Sequence, residues 1–386
     1  MKTVELGTLA SISTGKSNVV DATNTGKYPF YDRSQVVKRS NRYLFDVPSA
    51  IIVPGEGTSF IPRLAHGKFD LHQRAYAVIP NEKAHAEYLY YAILNAHKYF
   101  LMVSAGSTVP SLRLGMFEHM PILLPPLPEQ KRIAGVLGAI DEKIEVNRAK
   151  INSLSLLAQS IYDYWFVQFD FPNENGKPYK SSNGKLAFNP TLKRYIPANW
   201  SVQPLSELAE ITMGQSPSGK NMNENGVGTP FFQGSKDFGN VAPTKRVYTT
   251  EVTRRAKAGD ILLSVRAPVG DMNVALEDCC IGRGLASLRG KTCSTAFVQQ
   301  VLIKVKQRFD RVNKDGTTFG SLSSDDLKDM MVAIPNKELL TKFDSIASKL
   351  FEQVLLLEEE VRSLEGMRDE LLPLLMNGQL QILTLK

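Results

Sequence analysis

Residues 125–169 read PPLPEQKRIAGVLGAIDEKIEVNRAKINSLSLLAQSIYDYWFVQF, and this run decides the architecture. Pro125-Pro126-Leu127-Pro128 stops whatever precedes it, and Glu129 suits a first helical turn. Apolar side chains then return every three or four residues: Ile133, Leu137, Ile140, Ile144, Ile151, Leu154, Ala158, Ile161 and Trp165, with Asn147 as a polar interruption. That spacing is a coiled-coil seam about 50 Å long at ~1.5 Å per residue, and Asn147 is either an edge residue or a pin for its register. Pro172, Asn173, Gly176 and Pro178 forbid continuation, so the helix is expected to close near Phe169. The stripe needs a partner, and the chain supplies one in Phe343, Ile346, Leu350, Val354, Leu357, Val361, Leu364 and Leu371.

Working outward from the two helices, the chain is written twice. Leu6, Leu9, Ala10, Ile12 and Gly15 return as Leu205, Leu208, Ala209, Ile211 and Gly214. Pro29-Phe30-Tyr31 and Ser34 return as Pro230-Phe231-Phe232 and Ser235, and Ala50-Ile51-Ile52-Val53 resembles Asp260-Ile261-Leu262-Leu263. Gly106, Ser111, Leu112 and Pro125 match Gly316, Ser321, Leu322 and Pro335, and Leu154 matches Leu364. A period of about two hundred residues is far beyond any solenoid repeat and means a duplicated domain.

Each copy opens with short β-branched runs between Gly and Pro, such as Ser49–Val53, Ala75–Ile79 and Asp260–Val265, plus one helical stretch near Glu87–Leu101. The expected fold class is α+β: globules at 1–125 and 199–335, long helices at 126–170 and 336–386, and a polar linker at 171–198. Helix two leaves its globule directly after Pro335 and must return along helix one to bury its stripe. Antiparallel packing with pseudo-twofold symmetry is the simplest outcome, although a linker of about 30 residues, reaching ~100 Å, leaves the parallel case open.

Forty-six Lys and Arg against 39 Asp and Glu give +7, which suits a polyanionic partner. Residues 1–120 carry +4 and 201–335 carry +3, whereas 336–386 carry −3, so the last helix is expected to meet protein. The longest apolar runs, such as Ile51–Pro54, fall far short of the ~20 residues that span a bilayer. No secretory signal opens the chain. Cys279, Cys280 and Cys293 are odd in number and lack CxxC spacing, so neither a disulfide framework nor a zinc site is expected, and a reducing cytoplasm fits.

An ordered set of motifs closely resembles a known family. Pro125-Pro126-Leu127-Pro128-Glu129-Gln130-Lys131-Arg132-Ile133 opens a helix ending Trp165-Phe166. Phe169-Asp170-Phe171-Pro172, Gly176-Lys177-Pro178-Tyr179 and Ile196-Pro197-Ala198-Asn199-Trp200 follow, and Leu371-Leu372-Pro373-Leu374-Leu375-Met376-Asn377-Gly378 closes the chain. The whole chain resembles the specificity (S, HsdS) subunit of type I restriction-modification systems. The resemblance implies two target recognition domains, each reading half of a bipartite DNA site. The helices would space them and dock two methyltransferase (M) subunits, with restriction (R) subunits joining the assembly. S-adenosylmethionine, ATP and Mg would then belong to those partners, and adenine-N6 methylation with them. One departure is Ile334-Pro335-Asn336-Lys337-Glu338, where the first copy has its Pro-Leu-Pro-Glu-Gln run. The first domain begins almost at Met1, so any N-terminal extension is expected to be minimal.

A non-catalytic subunit should lack catalytic apparatus. An adenine methyltransferase needs an Asp/Asn-Pro-Pro-aromatic loop for a flipped base, and Asn189-Pro190-Thr191-Leu192 lacks the second proline and the aromatic ring. Gly284…Gly290-Lys291-Thr292 has one residue too many for a phosphate-cradling loop. The five histidines all lie in the first copy and form no HExxH. The rival readings are a self-contained methyltransferase or nuclease, and a coiled-coil scaffold binding protein.

The DNA-binding candidates are basic clusters that differ between the copies, because different half-sites require different readers. Copy one offers Arg33, Lys38, Arg39 and Arg42 among Tyr31 and Tyr43; copy two offers Lys236, Lys245, Arg246, Arg254, Arg255 and Arg266. An Arg fork can grip guanine O6 and N7. Arg74-Ala75 and Arg283-Gly284 recur and are candidate phosphate clamps, as are Ser107-Thr108 and Thr317-Thr318, whose small hydroxyl side chains allow close approach.

Overall fold

The computed structural model describes residues 2–105, 109–314 and 320–382. The chain forms two compact units, Met1–Ile144 with Ser363–Lys386, and Glu145–Arg362. Both are mixed α/β. In each, one antiparallel strand pair ties the start of the repeat to the strand that feeds the long helix: Lys2–Glu5 with Pro121–Leu124, and Ser201–Pro204 with Met331–Ile334.

The first unit is built on a six-stranded sheet. Its order runs Ala10–Thr14, Ala75–Pro80, Phe45–Pro54, Arg63–Leu71, Tyr28–Tyr31 and Lys38–Ser40. Helices Ala86–Asn95 and His97–Val103 occupy the expected helical stretch. The core joins Leu6, Leu9, Ile51, Phe60, Val78, Phe100 and Phe117 to Ile133 and Leu137 of helix one. Leu372, Leu375 and Met376 of helix two complete it. Each such fully buried side chain contributes about 1.5–3 kcal/mol.

The second unit splits the same plan into two sheets. Ala209–Met213, Leu285–Gly290, Ile261–Ser264 and Met272–Val274 form one; Met222–Asn223, Val247–Thr249, Thr229–Phe232, Cys279–Ile281 and Arg255–Ala256 form the other. Its core is aromatic. Phe166 packs against Trp200, Phe297 and Phe343 with ring centroids 5.7, 5.3 and 4.9 Å away. The stretch expected as a polar linker is folded: Leu186–Asn189 and Arg194–Pro197 form a hairpin, and Phe171 and Ile196 are buried in this core.

Helix one runs Leu127–Tyr162 and helix two Lys337–Met376. They start differently. The Glu129 and Gln130 N–H groups donate to the Pro126 carbonyl, whereas helix two is capped by Asn336, whose side-chain oxygen accepts from Leu339 N–H at 2.9 Å. Helix one ends in a π-turn over Asp163–Val167, and Phe169 takes a left-handed φ of 66° that turns the chain away. The helices are antiparallel within each unit: Arg368 reaches Asp141 at 3.1 Å in the first, and Phe343 meets Tyr162 and Trp165 in the second.

The seam matches its expected residues with one correction. Ile133, Leu137, Ile144, Ile151, Phe343, Val354 and Val361 are buried. Ile140, Leu154, Ile161, Leu350, Leu357, Leu364 and Leu371 are half-buried. Ile346 is exposed instead, and Ala347 takes the buried position. Phe343, Ala347, Leu350, Val354, Leu357, Val361 and Leu364 keep an unbroken four-three alternation, which Ile346 would interrupt. Asn147 is fully buried, and neither atom of its amide has a hydrogen-bond partner. Glu358, also buried, is held by Arg362 at 3.3 Å.

Candidate nucleic-acid interface

In both units the loops at one end of the sheet are tied together by the same backbone hydrogen bonds. His72 N–H donates to the Tyr31 carbonyl, and Gly282 N–H to that of Phe232, both at 2.9 Å. Gly55 N–H donates to Arg74 O at 2.9 Å, and Val265 N–H to Gly284 O at 3.0 Å. Leu112 N–H donates to Gly55 O and Leu322 N–H to Val265 O. Glu56 bridges Ser111 where Arg266 bridges Ser321.

These bonds correct one expectation. Arg74 and Arg283 are not equivalent: Arg74 corresponds to Gly284, and Arg283 to Gln73. The shared basic-then-small letter pattern is one residue out of step with the register of the strands that follow it, Ala75–Pro80 and Leu285–Gly290.

In the first unit the loop end carries a knot of charge. Glu56 accepts from Arg74 at 3.0 and 2.8 Å and from Arg33 at 3.1 Å. Arg74, then Arg33, holds its carboxyl below the usual range despite some burial. Beside it Asp32 is buried, which opposes its charge, yet Lys38 at 2.7 Å and the Ser34 hydroxyl and N–H keep its pKa low. Arg63 donates to the Asp32 carbonyl and lies over the Tyr31 ring, 5.2 Å from its centroid. Burial, then the Arg33 charge, pushes His72 down, and its Nδ1 accepts from Arg74 N–H at 3.0 Å.

Arg42 belongs to a second network. It donates to Ser17 and Asp21, both at 2.9 Å, and lies 3.5 Å from buried Asp70, which also accepts from Ser17 and Ser40. Arg39 is exposed, and its side chain has no partner among the described residues.

The second unit is arranged differently. Arg246 donates to buried Asp237 at 2.8 Å, and Asp237 also accepts from Gln233 N–H. Lys245 pairs with Glu277, and Arg255 with Asp278 at 3.2 Å. Glu277 and Asp278 lie at the opposite end of strand Cys279–Ile281 from Gly282–Gly284, so these two candidates are not gathered with the others. Lys236, Arg266 and Arg283 are exposed with no side-chain partner among the described residues. Among the described residues the Arg254 side chain reaches only the neighbouring Thr253 carbonyl, at 3.5 Å. The expected clamps Ser107, Thr108, Thr317 and Thr318 lie outside the described residues.

The expected set of basic residues left out Glu56 and Asp32, the carboxylates that place the charge, and Arg63, whose contacts to the Asp32 carbonyl and the Tyr31 ring come only from the fold. A signal was available: aligning Ser111 with Ser321 sets Glu56 opposite Arg266, a reversal of charge at one position. Among the described residues, no three His, Cys, Asp or Glu side chains gather as metal ligands, and no helix is long and apolar enough to cross a membrane.

With this geometry in hand, comparison with known proteins is informative. The family described as the type I restriction modification DNA specificity domain matches residues 1–156 and again 197–360. In Methanocaldococcus jannaschii, the protein provisionally named the type I restriction enzyme MjaX specificity subunit is 30% identical over 71% of this chain; the match spans 62% of that relative's length. The MjaIX specificity subunit from the same organism is 25% identical over 79% of this chain and 71% of its own. The crystal structure of a type I restriction-modification S subunit from M. genitalium aligns over 97% of this chain and 96% of its own, with a TM-score of 0.62 at 17% identity, a likeness of fold.

Proposed function

This chain belongs to the type I restriction-modification DNA specificity family, and from that premise we propose that it is the non-catalytic subunit that chooses the DNA site. Each unit reads one half of a bipartite sequence through its loop end. The antiparallel helices set the unread gap and offer their outer faces to two methyltransferase subunits, which restriction subunits then join. Adenine-N6 methyl transfer, with S-adenosylmethionine, ATP and Mg, belongs to those partners, and the whole assembly works in the cytoplasm on double-stranded DNA.

The observation that carries this reading is the repetition of one loop-end scaffold with different charges on it. Identical backbone bonds hold the loops in both units, while the side chains they present differ at position after position. A duplicated enzyme would keep its reactive groups alike in both copies. A duplicated reader has cause to vary them, because base edges are told apart by which donors and acceptors meet them. Arg33, Lys38, Arg39, Arg42 and Arg74 are the proposed contacts of the first domain. Lys236, Arg246, Arg254, Arg266 and Arg283 are those of the second, with Lys245 and Arg255 in supporting positions.

The test uses the full chain assembled with its methyltransferase subunit and a library of randomised duplexes. Selection should recover two short motifs at a constant separation, and methylated adenines in the host genome should fall within them. A single uninterrupted motif, or no enrichment, would refute the reading.

A further inference from the structure

The matched backbone bonds bring three positions of the two domains into register. Where the first has Arg33, Glu56 and Arg74, the second has Gly234, Arg266 and Gly284. An Arg–Glu–Arg triad in one unit stands where the other has Gly–Arg–Gly. The local charge is the same, one net positive, reached in two ways. In the first domain two guanidinium groups share a carboxylate; in the second a single arginine stands alone.

The two solutions differ in mobility and reach. Arg33 and Arg74 are 43% and 55% exposed, so both face solvent, while Glu56 between them is only 21% exposed. Glu56 therefore restrains both guanidiniums from behind and leaves N–H groups of each turned outward. An arginine already ordered in this way loses less conformational freedom when it meets a base edge. The same carboxylate repels phosphate and cancels one unit of the attraction that drives binding to any sequence. Arg266 in the second domain carries no such restraint. Gly284 beside it is needed for close packing, since an added Cβ would lie 2.5 Å from the Gln233 carbonyl oxygen.

Resting on the DNA-reading role above, we propose that Glu56 is a positioning residue for specificity. It fixes Arg33 and Arg74 for recognition of the first domain's half-site and withholds one positive charge from non-specific phosphate binding. Arg266 holds the matching place in the second domain and reads there without a fixed partner.

The experiment measures affinity of the full chain, assembled with its methyltransferase subunit, for a random-sequence duplex across salt concentration, alongside selection from randomised duplexes. Glu56→Gln should steepen the slope of log K against log salt by about 0.9, an additional roughly threefold loss between about 50 and 200 mM. Its selected motif should blur in one half only. Arg266→Glu should flatten the slope and blur the other half only. Arg33→Gln, which keeps the Arg74–Glu56 pair, should flatten the slope and blur the same half as Glu56→Gln, so the inference survives a misfolded Glu56 variant. An unchanged slope in Glu56→Gln or Arg33→Gln, or both halves blurring together, overturns it. If the unaltered complex shows no salt-dependent duplex binding, the DNA-reading role itself falls; normal wild-type binding with insensitive variants sinks only the role of Glu56.

Discussion

The two domains solve one folding problem differently. In the first, strands Phe45–Pro54 and Arg63–Leu71 run unbroken, and a bulge between Val47 and Ala50 is enough to bend the sheet. In the second their counterparts are each cut in two. Asp260 stands where the first has Ala50; its carboxylate accepts from Lys257 N–H at 2.9 Å and the Ser287 hydroxyl at 2.7 Å, while Gly259 takes a φ of 83°. A local Asp-to-backbone bond next to a left-handed glycine makes a turn, and the ladder stops there. The parallel strand pairing survives in both, Phe30 beside Asp70 and Phe231 beside Cys280, yet a carboxylate network in one becomes a buried thiol in the other. The loop-end backbone bonds are common to both domains, and the side chains they carry differ.

The strongest challenge to the proposal of two readers on one spacer is to change the spacer. Inserting four residues into both helices adds about 6 Å, close to two base pairs at ~3.4 Å each. Binding to the original site should fall to the non-specific level, roughly a thousandfold or more, and be restored by a longer gap. Recovery of the old gap by site selection would break the proposal that the helices set the gap.

Next in size is the contrast between Asp70 and Cys280. Asp70→Ala strips acceptors from the buried Ser17 and Ser40 hydroxyls and should cost about 2–3 kcal/mol. Cys280→Ala removes only one small buried group, about 1 kcal/mol. Hydrogen exchange resolved by domain measures both; equal losses would mean that the Asp70 network adds nothing to its domain's stability.

Asn147 sharpens the view of the seam. Its unpaired buried amide should make Asn147→Leu stabilising by about 1–2 kcal/mol in urea unfolding. If it also pins register, the leucine variant should accept a wider range of gaps. Destabilisation would show that the amide has a role other than register. The smallest effect separates neighbours in sequence. Arg39→Ala should lower the salt slope by about 0.9 and leave stability unchanged, because Arg39 is exposed without a partner among the described residues. Arg42→Ala should reduce stability by about 1 kcal/mol, since Arg42 ties Asp21, Ser17 and Asp70 together. The reverse pattern would exchange their assignments.

Much of the architecture was legible because it rests on periodicity. The helix seam, the duplication and the β-branched runs are patterns of apolar spacing, and burial obeys them wherever a stripe is long. Ile346 shows the limit of ranking by hydrophobicity: letters place Ile above Ala for a buried position, yet the four-three alternation running back from Leu350 puts Ala347 inward beside Phe343 and leaves Ile346 exposed. The stretch 171–198 misled for a related reason: its scattered apolar residues, among them Phe171, Leu186, Leu192 and Ile196, find their partners in Trp200 and in an aromatic core whose other members lie far along the chain.

The linear chain determined that there are two related domains, two long helices with matching stripes, and a positive balance suited to a polyanion, because repetition, period and charge are properties of order along the chain. Which cations are restrained and which stand free was decided by the fold. An ion pair such as Glu56 with Arg33 and Arg74 depends on three loops meeting within about 3 Å, and Coulomb and hydrogen-bond energies at that range are set by distances that no spacing of letters contains.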